Sequence, residues 1–450
     1  MLEQSQHDLK NLVADVLAQT QKMGLDAAEL SLGQQSGHSV TLRLNAVETI
    51  EFNQDKRLGI TVYKGKHKGS ASTTDLSPRA VQDCLEAAAS IASRIESDPF
   101  GGLIEKEYVA TQQVDCDLYH PSDISIEQSI EMARSCEEAA RAFDARIVNS
   151  EGSTFNASTH HRVYGNTHGF VGAYSSTSYG LSMSALAKEG ESMERDYDFT
   201  VARDSQDLLS AVAVGQGSAR KALTRLHARK IKTMEAPVIF APEVASSLVA
   251  HLIDAISGGS LYRKTSFLLD DLHKPIFPDF VQIKTLPHQP KGLGSAPFDG
   301  EGVATQERFL VRDGLLECYV LGGYSARRLG LKTTGDCGGV QNVLISQSAK
   351  PTIATADLNQ GALLKAMGRG LLVTELMGHG INPVTGDYSR GVFGFWIEHG
   401  QIQYPVHEIT IAGNLKNMYA GLVAVGSDID RRSKLLTGSL WIDRMTIAGE

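Results

Sequence analysis

The chain has little aromatic content (6%, with two Trp), little proline (13 residues in 450) and only five cysteines. Cys84, Cys116, Cys136, Cys318 and Cys337 are odd in number and far apart, with no C-x-x-C pair. That spacing excludes a disulfide framework and a zinc ribbon. No apolar run approaches the ~20 residues a membrane-spanning helix needs, and no basic segment followed by an apolar one marks a signal peptide. Excess positive charge is also missing: 43 Lys and Arg stand against 52 Asp and Glu, a net charge of −9. A protein that grips phosphate backbones through many cations would be basic, so nucleic acid is not the expected partner. Together these absences predict a protein of the reducing cytoplasm, where the sequon at Asn156 carries no meaning.

Sharp catalytic motifs are missing as well. There is no G-x-x-x-x-G-K-[ST] phosphate loop, and Gly215-Gln216-Gly217 falls in a helical pattern rather than after a strand. Gly323–Ala326 runs into Arg327 where a nucleophile elbow needs glycine, and Ser389 lacks flanking glycines.

What remains is an ordinary globular composition, 42% hydrophobic and 21% charged, in a chain long enough for two or three domains. The 43 glycines predict tight turns between short strands. Leu9, Leu12, Val13, Val16 and Leu17 recur at helical spacing. Alternating stretches follow at 28–32, 40–44, 49–52, 58–63 and 68–72, and Ser77-Pro78 then opens a second helix. Residues 97–122 form a connector. A helix from Ser125 to Phe143, strands at 147–150, 159–164, 169–176, 179–187 and 195–201, and a helix from Leu208 to Leu226 repeat the same order. The basic run of Arg220, Lys221, Arg225, Arg229, Lys230 and Lys232 at that helix end is expected to be a solvated face. The predicted domains are 1–97 and 122–232, together one N-terminal domain, and 234–450. The predicted class is α+β: helix–antiparallel meander–helix units, then a mostly antiparallel β barrel or sandwich with a packed helix. Hairpins are expected at Asp313-Gly314 and Glu398–Gly400, and short helical segments at Pro242–Ser257 and Asn414–Leu422.

Candidate chemistry is sparse. His407-Glu408 sits in a β-branched run, and the adjacent His160 and His161 point to opposite faces of a strand. His379 lies between two glycines. On the helix from Pro242, residues Glu243, Ser247, His251 and Asp254 form a polar stripe beside an apolar one.

Several long stretches resemble the PmbA/TldD family, and within it the TldE (PmbA) branch: Leu58–Tyr63, Lys68–Pro78, Glu194–Asp198, Ala236–Phe240, Gly258–Lys264, Gly386–Gly391 and Ile409–Leu415. The resemblance covers nearly the whole chain. It implies a heterodimeric zinc metalloprotease of the cytoplasm that cleaves unfolded or flexible peptides, including bacteriocin leader peptides and labile antitoxins. The metal-bearing TldD branch carries H-E-x-x-x-H on the helix equivalent to Pro242–Ser257, and a further cysteine near its C-terminus. Here His251 matches the first histidine, but Leu252 and Ile256 replace the glutamate and second histidine, and no cysteine follows Cys337.

The resemblance therefore implies no catalytic residue, no zinc and no other cofactor in this chain, with zinc in a TldD-like partner. The sequence leaves open whether the isolated chain forms a homodimer. His251, Arg263, Lys264, Asp387 and Arg390 are the residues expected to contact substrate or partner. Two alternatives stand beside this reading: an independent hydrolase with a scattered metal set of His251, Asp254, His379 and His407, and a non-enzymatic gyrase-modulating protein.

Overall fold

In the computed structural model, residues 2–348 and 358–449 are described, with side chains from residue 6. The first unit is α1 (Leu2–Lys22), β1 (Ala27–Arg43), β2 (Ala46–Lys64), β3 (His67–Thr73) and α2 (Pro78–Ala92). The second repeats the order: α3 (Ile126–Arg141), β4 (Ile147–Asn166), β5 (Val171–Glu189), β6 (Ser192–Ala202) and α4 (Ala211–Thr224). Both meanders join in one antiparallel sheet, β3-β2-β1-β4-β5-β6, through the β1–β4 pair. Helices cover one face only. Leu30, Leu32, Leu58, Ile60 and Val163 pack with α1 and α2, while Phe155, Leu181 and Met183 pack with α3 and α4.

The helix starts follow their caps. Ser77 Oγ accepts from Ala80 N ahead of Pro78, and Ser125 and Gln128 form a capping box. The helix expected from Leu208 begins at Ala211 instead, because Asp204 caps a separate 3₁₀ turn over Ser205–Asp207 and Ser210 caps α4.

The strands are not short, and this corrects the expectation drawn from the glycine count. β1, β2, β4 and β5 run for 17, 19, 20 and 19 residues. Alternation breaks down mid-strand because the helix-free face is polar and the strand ends project beyond the helices. The β1–β2 turn carries no glycine. Leu44 and Asn45 take φ of 51° and 63°, held by their amides donating to the two oxygens of the fully buried Glu137 at 2.8 Å each. Many glycines serve close approach instead. A Cβ on Gly215 would lie 2.1 Å from the Cys136 carbonyl oxygen, so α3 and α4 touch backbone to backbone there.

The C-terminal half begins with β7 (Met234–Phe240), α5 (Pro242–Ala255) and α6 (Gly258–Tyr262). Then come β8 (Val281–Thr285), β9 (Arg308–Arg312), β10 (Leu315–Leu316), α7 (Gly323–Leu329), β11 (Val343–Gln347) and α8 (Gln360–Met367). The last elements are β12 (Gly370–Met377), β13 (Asp387–Glu398), β14 (Gln401–Asn414), α9 (Leu415–Ala420), β15 (Leu422–Val425), β16 (Leu435–Leu436) and β17 (Leu440–Ala448). The order β14-β13-β12-β7-β17 closes on itself through β14–β17 pairing, a five-stranded barrel whose β12–β7 pair is parallel. A second sheet runs β10-β9-β8-β11-β16. The Asp313-Gly314 hairpin has both φ values positive, as its turn type requires. Short α7 and α8 stand where only strand and turn are expected, too brief to show a periodicity. Among the described residues no helix is long and apolar enough to cross a membrane.

The basic run is a solvated face only in part: Arg220, Arg229, Lys230 and Lys232 are exposed, but Arg225 is not. Arg225, 12% exposed at its side chain, pairs with Glu194 (3.8 Å) and Asp196 (3.1 Å) of β6 and with Glu375 of β12, and lies 3.8 Å over the Phe393 ring of β13. Arg229 stacks on Tyr404 of β14 at 3.4 Å, Lys230 pairs with Glu408 and Lys221 with Asp198. From the other side Arg432 bonds Asp198 at 2.9 Å and Asp430 at 2.8 Å. These cations fasten the sheet to the barrel.

Two outcomes follow for stability. Arg225→Met keeps the length but strands three carboxylates, and should cost about 3 kcal/mol in urea unfolding, the range for breaking a buried pair. Gly215→Ala, which on an open helix gains ~1 kcal/mol, should instead destabilise by about 2 kcal/mol in the same assay by forcing α3 and α4 apart.

Candidate functional site

Helix α5 starts at Pro242 and buries Ala245, Leu248, Val249, Leu252 and Ala255. It ends at Ala255 rather than Ser257, because Ser257 turns to cap α6. Leu252 and Ile256 are fully buried in the largest core, shared with barrel residues such as Val238, Val373 and Ile411. His251 lies beside them, half-buried. Its Nε2 is shut away from solvent without a partner, and its ring meets that of Tyr388 edge-on at 6.3 Å. The Tyr388 hydroxyl is likewise buried and unpaired.

Arg390 is two residues along β13 from Tyr388 and so shares its face; its Nε donates to the Met377 carbonyl at 3.1 Å. Burial holds the His251 imidazole below its ordinary pKa, Asp254 opposes this and Arg390 adds to it, so the ring is neutral at pH 7. Burial also pushes the Tyr388 phenol up, with Arg390 opposing. The arrangement is two polar groups in an apolar wall with a guanidinium nearby.

The structure brings His251, Asp254, Tyr388 and Arg390 together but scatters the other candidates. Asp387 projects to the opposite face from Tyr388, accepts from Thr385 (2.6 Å) and Asn414 (3.2 Å), and ties the β13 start to the α9 cap. Arg263 caps the C-terminal end of α6 and lies over the Tyr262 ring, which meets Tyr324 of α7 edge-on. Lys264 is exposed at φ of 58°. His379 sits in an exposed loop and His407 on β14.

A catalytic zinc needs about three converging protein donors. Among the described residues no three His, Cys, Asp or Glu side chains form such a group, whether around His251 or from the scattered set. The residues present do not fit a catalytic zinc. Nor is there a primed thiolate: burial pushes Cys116 up to about 11 and Cys136 up to about 12.

Sequence reasoning missed a different concentration of charge. Glu29 of β1 accepts from the hydroxyls of Tyr63 and Tyr164 at 2.7 Å each. Nearby, Glu301 accepts from Gly323 N at 2.7 Å and is pushed up to about 7, first by burial and then by Asp299 and Glu29. Asp299, Gly300, Glu301 and Gly302 are adjacent in sequence, and that acidic–glycine alternation was the available signal.

Models of the PmbA/TldA metallopeptidases match the chain in three consecutive parts: domain 1 over residues 28–92, the central domain over 119–226 and the C-terminal domain over 233–449. The chain is 49% identical over 425 residues to metalloprotease PmbA of Escherichia coli O157:H7, covering 94% of this chain and 93% of that protein. A solved structure from Bacteroides thetaiotaomicron, described as a candidate modulator of DNA gyrase, superposes with a TM-score of 0.90 at 27% identity, covering 98% and 99% of the two chains. TldE from Thermococcus kodakarensis gives 0.84 at 20% identity over 97% and 100%, a likeness of fold.

Because Nε2 of His251 is unpaired, His251→Phe should leave stability unchanged or raise it by about 1 kcal/mol at pH 7.5. The advantage should widen at pH 5.5. As pH falls below 6.5 the unfolded chain takes up a proton that the buried ring resists, so the parent loses stability and the variant does not. Urea unfolding at the two pH values measures both.

Proposed function

The chain belongs to the PmbA/TldA metallopeptidase family, and from that premise we propose that it is the TldE (PmbA)-type subunit of a zinc metalloprotease acting on unfolded or flexible peptides. In this reading a TldD-like partner carries the zinc, and this chain contributes assembly and substrate handling in the cytoplasm. The substrates are leader peptides and labile antitoxins. The observation that carries it is α5: His251 stands alone, while Leu252 and Ile256 are core residues where the metal-bearing branch has donors. The 49% identity to a metalloprotease PmbA supports the protease setting.

An aliphatic pair in place of Glu and His removes both the water-polarising base and a ligand. It leaves α5 as a packing element that keeps the barrel in the family's shape. Such a chain retains the surfaces that meet a partner and a peptide without the chemistry. The gyrase-modulating description of the Bacteroides relative is the second reading. The net charge of −9 weighs against direct DNA contact.

Cleavage of an unstructured peptide should be measured with this chain alone, with its TldD-like partner, and with a zinc-ligand variant of that partner. Only the intact pair should cleave, and the purified single chain should hold well under one zinc per chain. Cleavage by the single chain, or zinc close to one per chain, overturns the reading.

A further inference from the structure

The helix-free face of the large sheet carries a built anion slot. Leu32, Leu58 and Val163 point into the helix-covered core, so their neighbours Gly33, Arg57 and Arg162 point the other way. These three are directly cross-strand: Gly33 of β1 pairs with Arg57 of β2 on one side and Arg162 of β4 on the other. A Cβ placed on Gly33 would meet nothing within 4 Å, so the space between the two guanidinium groups is open. Two strand spacings separate the arginine backbones by about 9.6 Å, room for a carboxylate between the side-chain tips.

The slot opens into a cavity of 590 Å³. A second cavity of 260 Å³ adjoins it through the shared residues Arg162, Tyr174 and Ser176, and reaches the Gly338-Gly339 loop. The charged lining is Lys56, Arg57, Arg162 and Arg203 against Asp55 and Asp299. Asp299 is already committed, accepting from the amides of Glu301, Val303 and Cys337 at 2.8–2.9 Å. Among the described residues none of the three arginines forms an ion pair. Arg57 reaches only Ser72 Oγ at 3.5 Å, and Arg203 donates to the carbonyls of Thr177 and Leu293 and keeps a buried, unpaired Nε. Gln341, 5% exposed, lines the second cavity with its Oε1 unpaired. In a chain of net charge −9, three guanidinium groups lie along one trough outside any ion pair, with Arg162 alone acting through space on the Asp299 carboxylate.

We propose that this trough binds an extended peptide through its carboxylates, one of them seated over Gly33 between Arg57 and Arg162. Guanidinium forks match carboxylates in a bidentate way, and the small floor of Ser31, Gly33 and Ser176 admits a main chain. A single-stranded nucleic acid is the poorer fit, because beside the His160 and His161 imidazoles only Tyr174 and a fully buried Phe298 line the trough, and successive bases need exposed stacking platforms. The ligand class rests on the peptide-handling reading above, but the slot is a property of this chain alone.

The test is fluorescence anisotropy on the full single chain with three labelled twelve-residue probes: glutamate-rich with an amidated end, neutral with a free C-terminal carboxylate, and neutral and amidated. The first or second should bind at least about tenfold tighter than the third, and which of them does so tells side-chain from terminal carboxylate. Gly33→Leu extends into the slot from a position where the Cβ meets nothing, and Arg162→Gln removes one jaw. Each should weaken the preferred probe by about fivefold or more while leaving the melting temperature within about 2 °C. Equal binding of all three probes, no loss in either variant, or tighter binding of an oligonucleotide of matched charge overturns the proposal. Because no partner is present, failure of the cleavage experiment leaves this result standing, and the reverse also holds.

Discussion

The ion network centred on Arg225 and Arg432 is the contact on which the relation between the two halves depends. It joins three acidic side chains of β6 to α4, to β12 and to the Asp430 loop. Desolvated ions of this kind stabilise only when they are well partnered: here Arg225 has three carboxylates and a ring face, with its Nε alone left without a hydrogen bond, and Arg432 has two carboxylates and the Phe199 ring. The network therefore acts as an orientation device as much as a source of stability. It sets where the sheet's edge meets the barrel, and so where the Asp299 and Gly338 loops hang over the uncovered face. Its acidic side, Glu194–Asp198, lies within the part of the chain that matches the family's central domain.

The second constraint is barrel closure. With five strands the ring encloses little more than its own side chains, so α5 must bury a stripe against it. On the reading proposed above, a helix held this way can go without metal ligands and keep its place, provided that apolar residues stand at their positions. Leu252 and Ile256 meet that condition. His251 is the residue left polar, and its unpaired Nε2 beside an unpaired Tyr388 hydroxyl is the local cost.

Local periodicity and capping made the helices of the N-terminal half legible, and Ser77-Pro78 and Ser125 mark their starts in sequence as in space. The doubled helix–meander–helix order was legible for the same reason. The strands were cut into pieces because alternation marks only the helix-covered parts. On the other face Ser, Gly, His and Arg follow one another without an apolar partner. Arg225 read as a solvated cation because Glu375 and Phe393 are remote in sequence. A barrel was expected as one of two alternatives, but its closing β14–β17 pair and the His251–Tyr388 contact escaped for the same reason: pairing between distant segments leaves no periodic trace. The proposed lack of metal donors on α5 was read from residue identity, Leu252 and Ile256, and needs no pairing between segments.

The same long-range logic explains why the trough needs both units. β1 and β4 are the inner strands of their meanders and pair antiparallel, which places the two helix–meander–helix units about a local two-fold relation. Either unit alone would present one arginine with no facing jaw: Arg57 on the middle strand of the first meander, or Arg162 on what would be an edge strand of the second. Joined, they bring Gly33 between the two, and the missing side chain becomes a space with charged walls. A duplicated unit thereby acquires at its seam a feature that neither copy contains. The seam is also the least replaceable part of the sheet. A Cβ on Gly37 would strike the Ala157 carbonyl oxygen of the neighbouring strand at 2.2 Å, so β1 and β4 admit little variation where they meet, while the open position at Gly33 remains free to change.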